Sequence, residues 1–445
     1  MKTIRNNNIV RQNKQETAKN IAKVRNKKLK KYRELRINSL LEEMPLNLNC
    51  YLLNLKIDGV MKKYPEDFIV EEITPEGIVL EAGKDIGFKE ENKHDWNGSF
   101  IHFTMEKINW NTMDAIRELA RRTKTKRKNF GFAGTKDKFA LTTQRVGCFG
   151  IKPEKLEEIK NSIKDITIRD IQKTNIKLRM GHLWGNKFTI KIRLNETDKY
   201  YNDISKYEEI LKNKNLDYIL NYYGTQRFGT FRPITHIVGK FIYNRDFESA
   251  FYTYCGAPIN ETGVVKEARE MVDNGEFEKA LKLFPKKSYY NEIKMIRHYI
   301  KTGNYKECFK VLPPQLSSMF VNAYQSYLFN EMINIRHRDY SFDILDGDVV
   351  EEGAPTGNIL GSDTILSDGI QGDIEKYIIE KENLDLKKFK IEDYGNFPGT
   401  RRKLITKIYD FESSIDKDNN IISISFKMER GNYATVVLRE IISEI

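Results

Sequence analysis

The sequence predicts a mixed α+β protein. Alternation of apolar and polar residues marks strands at 68–73, 99–105, 181–194 and 422–428. Between about 245 and 335 the apolar spacing turns helical, with few strand signals. The 445 residues suffice for two or three domains with full cores. Hydrophobic residues make up 40% and charged residues 31%, a balance that folds rather than staying disordered.

The elements follow in chain order. After Pro65, the stretch Phe68–Ile73 reads as a strand, and Ser99–Met105 as another. Met113, Ile116, Leu119 and Ala120 recur at helical spacing, with Asn111 as N-cap and Asp114 at N3. Residues 129–134 and 140–148 read as strands that flank a glycine-punctuated turn. From Gly181 to Leu194, Phe188, Ile190, Ile192 and Leu194 face a core while Lys187, Thr189, Lys191 and Arg193 face out. Two similar stretches, 274–281 and 303–309, read as helical hairpins and fall short of a solenoid. Ile422, Ile424, Phe426 and Met428 mark a late strand.

Several function classes are disfavoured. No run of about 18 apolar residues is present, so no membrane-spanning helix is expected. The basic N-terminus lacks a following apolar segment and does not read as a secretory signal. Cys50, Cys148, Cys255 and Cys308 never fall at C-x-x-C spacing, which argues against zinc or disulfides and for a reducing, cytoplasmic setting. His94, His102, His182, His236, His298 and His337 form no metal motif, so no metal is expected.

Charge is unevenly placed. Net charge is +12, yet residues 1–40 hold 13 Lys/Arg against Glu16 and Glu34, a local +11. This segment reads as a basic arm, solvated when free and drawn to nucleic-acid phosphates. Ala18, Ile21, Ala22, Leu29, Leu35 and Leu40 could mark one face of a helix formed on binding. A second cluster, Arg117, Arg121, Arg122, Lys124, Lys126, Arg127 and Lys128, meets one acid between 117 and 128, Glu118. Cations suit a helix C-terminus. Seven exceed what capping needs, so phosphate contact by Arg121, Arg122, Lys124, Lys126, Arg127 and Lys128 is the expected role.

The most informative stretch is Gly131-Phe-Ala-Gly-Thr-Lys-Asp137-Lys138 with Thr142-Thr-Gln144. It sets one carboxylate between lysines, an environment that favours the ionised form and hence a nucleophile or base. A turn Asp capping its own backbone is the plainer alternative. Four more segments stand in order around it: Lys62-Lys-Tyr-Pro-Glu-Asp67-Phe68; Asn221-Tyr-Tyr223-Gly-Thr-Gln-Arg227-Phe228-Gly229; Tyr324-Gln-Ser-Tyr-Leu-Phe329-Asn330 with Asp346-Gly-Asp348; and Tyr433-Ala-Thr-Val-Val-Leu-Arg439-Glu440. Together they resemble the TruD family of tRNA pseudouridine synthases. The inserted helical region and Lys/Ile/Asn-rich composition look like its archaeal members.

The resemblance implies a pseudouridine synthase fold: a bisected, mostly antiparallel sheet with flanking helices, split by an inserted, largely helical TRUD domain. The expected divisions are a basic arm at 1–45, a catalytic domain at 46–240, the insertion at 241–395 and a returning strand and helix at 396–445. The implied reaction converts uridine to pseudouridine in tRNA, at uridine-13 of the D-arm, with no cofactor. Asp137 takes the catalytic position, either adding to the nucleoside or relaying a sugar proton. Lys62 and Phe68 line the site, Tyr223 stacks on the base where most relatives carry Phe, and Asn221 offers an amide to the uracil edge. Arg227 or Arg439 is expected to pair with Asp137. Phe228 is expected to pack in the core, and Tyr324, Gln325 and Phe329 to serve packing. A non-catalytic RNA-binding or chaperone protein of the same fold, and a glycosylase that releases free base, are the alternatives.

Overall fold

The computed structural model describes residues 50–86, 98–194 and 217–442, together with 30, 31, 34, 35, 37–39, 41, 42, 44–46 and 48. The chain divides into two compact units, one of residues 51–221 and 405–445 and the other of 1–50 and 222–404. These boundaries differ from the expected divisions at 240/241 and 395/396. The helical unit begins earlier because Tyr222 is already buried, its hydroxyl donating to Asn334 Oδ1 at 2.5 Å.

The first unit is built on a mostly antiparallel sheet. Its order is Tyr409–Asp416, Ile421–Glu429, Gly185–Leu194, Phe68–Ile73, Leu141–Phe149, Phe100–Ile108 and Ile166–Thr174. Short strands Gly59–Met61 and Phe130–Phe132 pair with Gly185–Leu194 and Leu141–Phe149. The alternation in 185–194 and 421–429 is realised: Phe188, Ile190, Ile192, Ile422, Ile424 and Phe426 are buried. One junction is parallel, Phe68–Ile73 against Leu141–Phe149, with Ile69 opposite Leu141 and Val70 opposite Thr142. Both strands of this seam therefore start at the same end of the sheet. Phe100–Ile108 runs antiparallel to Leu141–Phe149 and finishes at that end, with Lys107 opposite Thr142. Helix Thr112–Arg122 follows at once and buries Ala115, Ile116, Leu119 and Ala120 against Phe103, Met105 and Val146. Asn111 caps it as expected, accepting from Asp114 N at 2.8 Å.

Two long strands of this sheet escaped the sequence reading. Tyr409–Asp416 is half-exposed along its whole length, so no apolar face announces it. Ile166–Thr174 carries a bulge near Asp170, whose left-handed φ of 54° breaks the alternation.

The second unit is helical. Gly263–Asp273 packs with Phe277–Leu283, and Tyr290–Thr302 with Tyr305–Lys310, the hairpins that the similar stretches predicted. Thr235–Tyr243 lies against the long helix Pro314–Asp339. Their approach needs Gly239, where an added Cβ would sit 2.0 Å from the Phe320 carbonyl oxygen. The basic arm is corrected here. Described positions from 30 to 42 are helical, and Ile37 and Met44 are buried in this unit's core, with Leu41 and Leu46 packed against it. Leu35, expected on the inner face, is 60% exposed. Ile37, Leu41 and Met44 supply the face instead, at i, i+4 and i+7. The residues before 30 lie outside the described set.

Candidate active site

Asp137 lies on the loop between Phe130–Phe132 and Leu141–Phe149, at the end where the parallel seam starts. The Lys62 segment enters the other seam strand from the same end. That shared direction brings two residues 75 positions apart together, with Lys62 Nζ 3.5 Å from Asp137 Oδ1.

The motif's other residues hold the loop. Gln144 Nε2 donates to the Gly134 carbonyl at 3.1 Å. Thr112 links Gln144 to the loop: its hydroxyl donates to Gln144 Oε1 at 2.9 Å and accepts from Lys136 N at 2.9 Å. Gly181 N donates to the Ala133 carbonyl at 2.7 Å. Lys136 turns inward and pairs with Glu72 at 2.7 Å, both side chains nearly fully buried. Asp137 turns outward, its side chain 48% exposed. The alternation along the loop thus separates a buried structural lysine from an accessible carboxylate.

Lys62 is positioned with equal care. Its φ of 53° is left-handed, which costs a non-glycine residue on the order of 1 kcal/mol or more. The turn that follows compensates. Asp67, buried, accepts from Tyr64 N at 3.0 Å and from Arg193 at 2.7 and 2.9 Å. Burial alone would raise the Asp67 carboxyl, but the Arg193 and Tyr64 hydrogen bonds hold it below its usual range. Phe68 supplies a floor: Lys62 Nζ stands 3.8 Å above its ring centroid, and the ring meets Phe188 edge-on.

An arginine partner for Asp137 was expected, and Lys62 holds that place among the described residues. Arg439 instead lies with its guanidinium 4.5 Å from the Tyr51 ring centroid. Arg227 belongs to the helical unit, where its Nε donates to Ser326 Oγ at 3.1 Å and its guanidinium lies 5.5 Å from the Tyr223 centroid.

Asn221, buried, is the last residue of its unit's first segment, following strand Tyr218–Leu220. In the helical unit, Asn330 fixes the Tyr223 backbone, accepting from its N–H at 2.9 Å and donating to its carbonyl at 3.0 Å. The Tyr223 ring meets Phe329 edge-on, and Arg402 lies 4.4 Å from its centroid. Phe228 and Tyr324 are fully buried, and Gln325 donates to the Leu360 carbonyl at 2.8 Å, so all three pack. Arg402 was missed because Thr400–Lys403 is a short basic strand without apolar alternation.

The basic cluster is exposed but partly neutralised. Arg117 pairs with Asp114 at 2.6 Å. Arg121 and Arg122 both bind Glu118, at 2.5 and 2.9 Å, and together hold its carboxyl at about 2. Arg127 points its Nη2 at Met113 Sδ, 3.7 Å away. Among the described residues, no carboxylate pairs with Lys124, Lys126 or Lys128.

Sequence reasoning also missed Lys107. It continues the inward face of Ile101, Phe103 and Met105, is fully buried, and donates from Nζ to the main-chain carbonyl of Asp137 at 2.7 Å. The signal was there: a lysine at the fourth inward position of an apolar alternation.

An accessible carboxylate beside a lysine that stands over an aromatic ring, on a loop held by its own hydrogen bonds, marks this end of the sheet as the candidate site of an enzyme. Comparison with known proteins narrows the class. The profile of the family described as tRNA pseudouridine synthase D (TruD) matches residues 45–354 and 350–441, and the chain belongs to this family of RNA-modifying isomerases. It is 66% identical over 399 residues to a Methanococcus maripaludis protein named "Probable tRNA pseudouridine synthase D 2", covering 89% of this chain and 98% of the relative. A Methanocaldococcus jannaschii relative is 53% identical over 403 residues, covering 90% and 100%. A crystal structure of a Methanosarcina mazei protein assigned to TruD superposes with a TM-score of 0.69 at 29% identity, covering 90% of this chain and 97% of that one. Among the described residues no helix is long and apolar enough to cross a membrane.

Proposed function

We propose that this chain isomerises uridine to pseudouridine in tRNA, at uridine-13 of the D-arm, in the cytoplasm, with Asp137 as the reacting carboxylate. The observation that carries the reading is the loop geometry: bonds from Gln144, Thr112 and Gly181 hold the backbone while the carboxylate stays accessible beside Lys62. Preorganisation of this kind lowers the cost of reaching the reactive arrangement. In the reaction, the C1′–N1 bond breaks, the uracil turns, and C5 bonds to C1′. C5 then loses its proton and N1 gains one, so composition is unchanged. Asp137 either adds to the nucleoside or takes a sugar proton, and Lys62 balances its charge in both cases.

A base in folded RNA must leave its stack first, at a cost of a few kcal/mol. Tyr223 offers a stacking face and Asn221 an amide for the uracil edge, while Phe68 supports Lys62 from below. Arg227 and Arg439 serve the bound RNA rather than Asp137. Lys124, Lys126 and Lys128, with Arg121, Arg122 and Arg127, meet phosphates. The sheet unit is the pseudouridine synthase domain, its parallel seam the line of bisection, and the helical unit is the TRUD insertion. The test is to map pseudouridine in tRNA transcripts before and after treatment with this protein. A new pseudouridine at position 13 is expected; release of free uracil, or no change, would overturn the reading.

A further inference from the structure

Lys107 is a buried amine that the proposed reaction does not use. Its side chain is wholly enclosed, and among the described residues no carboxylate lies within ion-pair distance of it. Burying an ammionium group without a paired anion is costly, so its retention calls for a role. Its ammonium donates a hydrogen bond to the main-chain carbonyl of Asp137, at 2.7 Å. The charged groups that face it, Asp137 and Lys136, both come from this loop. Its register partners Thr142 and Ile166 carry no charge, and helix Thr112–Arg122 presents the neutral Thr112 to the same loop.

We propose that Lys107 is a positioning residue: its ammonium fixes Asp137 through the main-chain carbonyl and sets a buried positive charge behind the reacting carboxylate. This rests on Asp137 as that carboxylate. Burial pushes the Lys107 amine down to about 8, against the upward pull of Asp137 and with a further push from Lys136. The charge is therefore present below about pH 8 and lost above it, inside the range where a synthase can be assayed.

The experiment measures single-turnover rate and tRNA affinity from pH 6.5 to 9.5 on the full chain, for the wild type, Lys107→Met and Lys107→Arg. In the wild type the rate falls as pH passes about 8 while affinity holds. Lys107→Met lowers the rate roughly 10²-fold, the scale of a small misplacement of a reacting group, and removes the inflection. Lys107→Arg keeps its charge, recovers part of the rate and shows no inflection below 9.5. A wild-type rate that is flat across this range overturns the proposal without any variant, so a misfolded substitution cannot shield it. An inflection near 8 that persists in Lys107→Met overturns it as well. Failure of the underlying reading is separable, because an Asp137→Asn protein that still forms pseudouridine would discard Asp137 whatever Lys107 does.

Discussion

The chemistry at the residue scale turns on how little of Asp137 is free to move. Gln144, Thr112 and Lys107 hold the backbone of its loop, not its carboxylate. Asp137→Asn should therefore keep the loop and the RNA contacts while removing the reacting group. The expected result is a loss of at least ~10²-fold in pseudouridine formation with tRNA affinity within a few-fold of wild type. Quantifying pseudouridine beside filter binding checks both halves, and substantial residual product would sink the assignment. Tyr223 makes a second case. Its backbone is fixed by Asn330 and its ring by Phe329 and Arg402. Tyr223→Phe should be near neutral, whereas Tyr223→Ala should cost about 1–3 kcal/mol in kcat/KM, one lost stack. A large defect in the Phe variant would show that the hydroxyl takes part. That Asp137, Lys62 and Phe68 lie together was legible in two short motifs, one with Asp137 and one with both Lys62 and Phe68. Lys107 and Arg402 stand in neither, and each acts through a neighbour that only folding brings near.

Strands and helices were readable wherever one face is dry. Phe188, Ile190 and Ile192 announce their strand, and Ile116 and Leu119 their helix. Edge strand Tyr409–Asp416 gave no such signal, and the parallel seam could not be read at all, since pairing direction leaves no periodicity in either partner. The packed N-terminal helix was misread because its lysines masked the Ile37, Leu41 and Met44 stripe. His236 ties that segment down. On helix Thr235–Tyr243, its Nε2 donates to the Met44 carbonyl at 3.0 Å, and its ring stacks on Tyr327. Burial pushes the imidazole down to about 4, from about 6.5 when unfolded. The unfolded chain thus binds the proton first. Stability from this group is full above pH 6.5 and drains away as pH falls towards 4, on the order of 3 kcal/mol in all. Urea unfolding of wild type and His236→Phe at pH 7 and pH 4.5 tests this: the pH-dependent loss should shrink in the variant. Equal losses in both proteins would place the acid sensitivity elsewhere, His102 being the next candidate since burial also brings it to about 4.

For the whole molecule, charge and packing separate within the N-terminal segment. Residues 1–29 hold nine Lys/Arg against Glu16, a net +8 of the total +12. Ile37 and Met44, further on, belong to a core. Removing 1–29 should weaken tRNA binding and flatten the dependence of log affinity on log salt by several units, without moving the modified uridine. Removing 1–45 should in addition lower the melting temperature, because buried side chains go with it. An unchanged salt slope in the shorter deletion would mean that this charge does not meet phosphate. The other terminus has a different consequence. Glu440, on the last helix, accepts from the backbone N–H groups of Leu52 and Leu53 at 2.9 and 2.7 Å, and Ile421–Glu429 completes the sheet beside Gly185–Leu194. Synthesis runs from the N-terminus, so the Asp137 unit waits through the whole helical unit for its final strands. A chain still on the ribosome has made Asp137 well before Ile421–Glu429, the strand that pairs with Gly185–Leu194. The sheet unit is thus completed only after the helical unit between its two segments has been made.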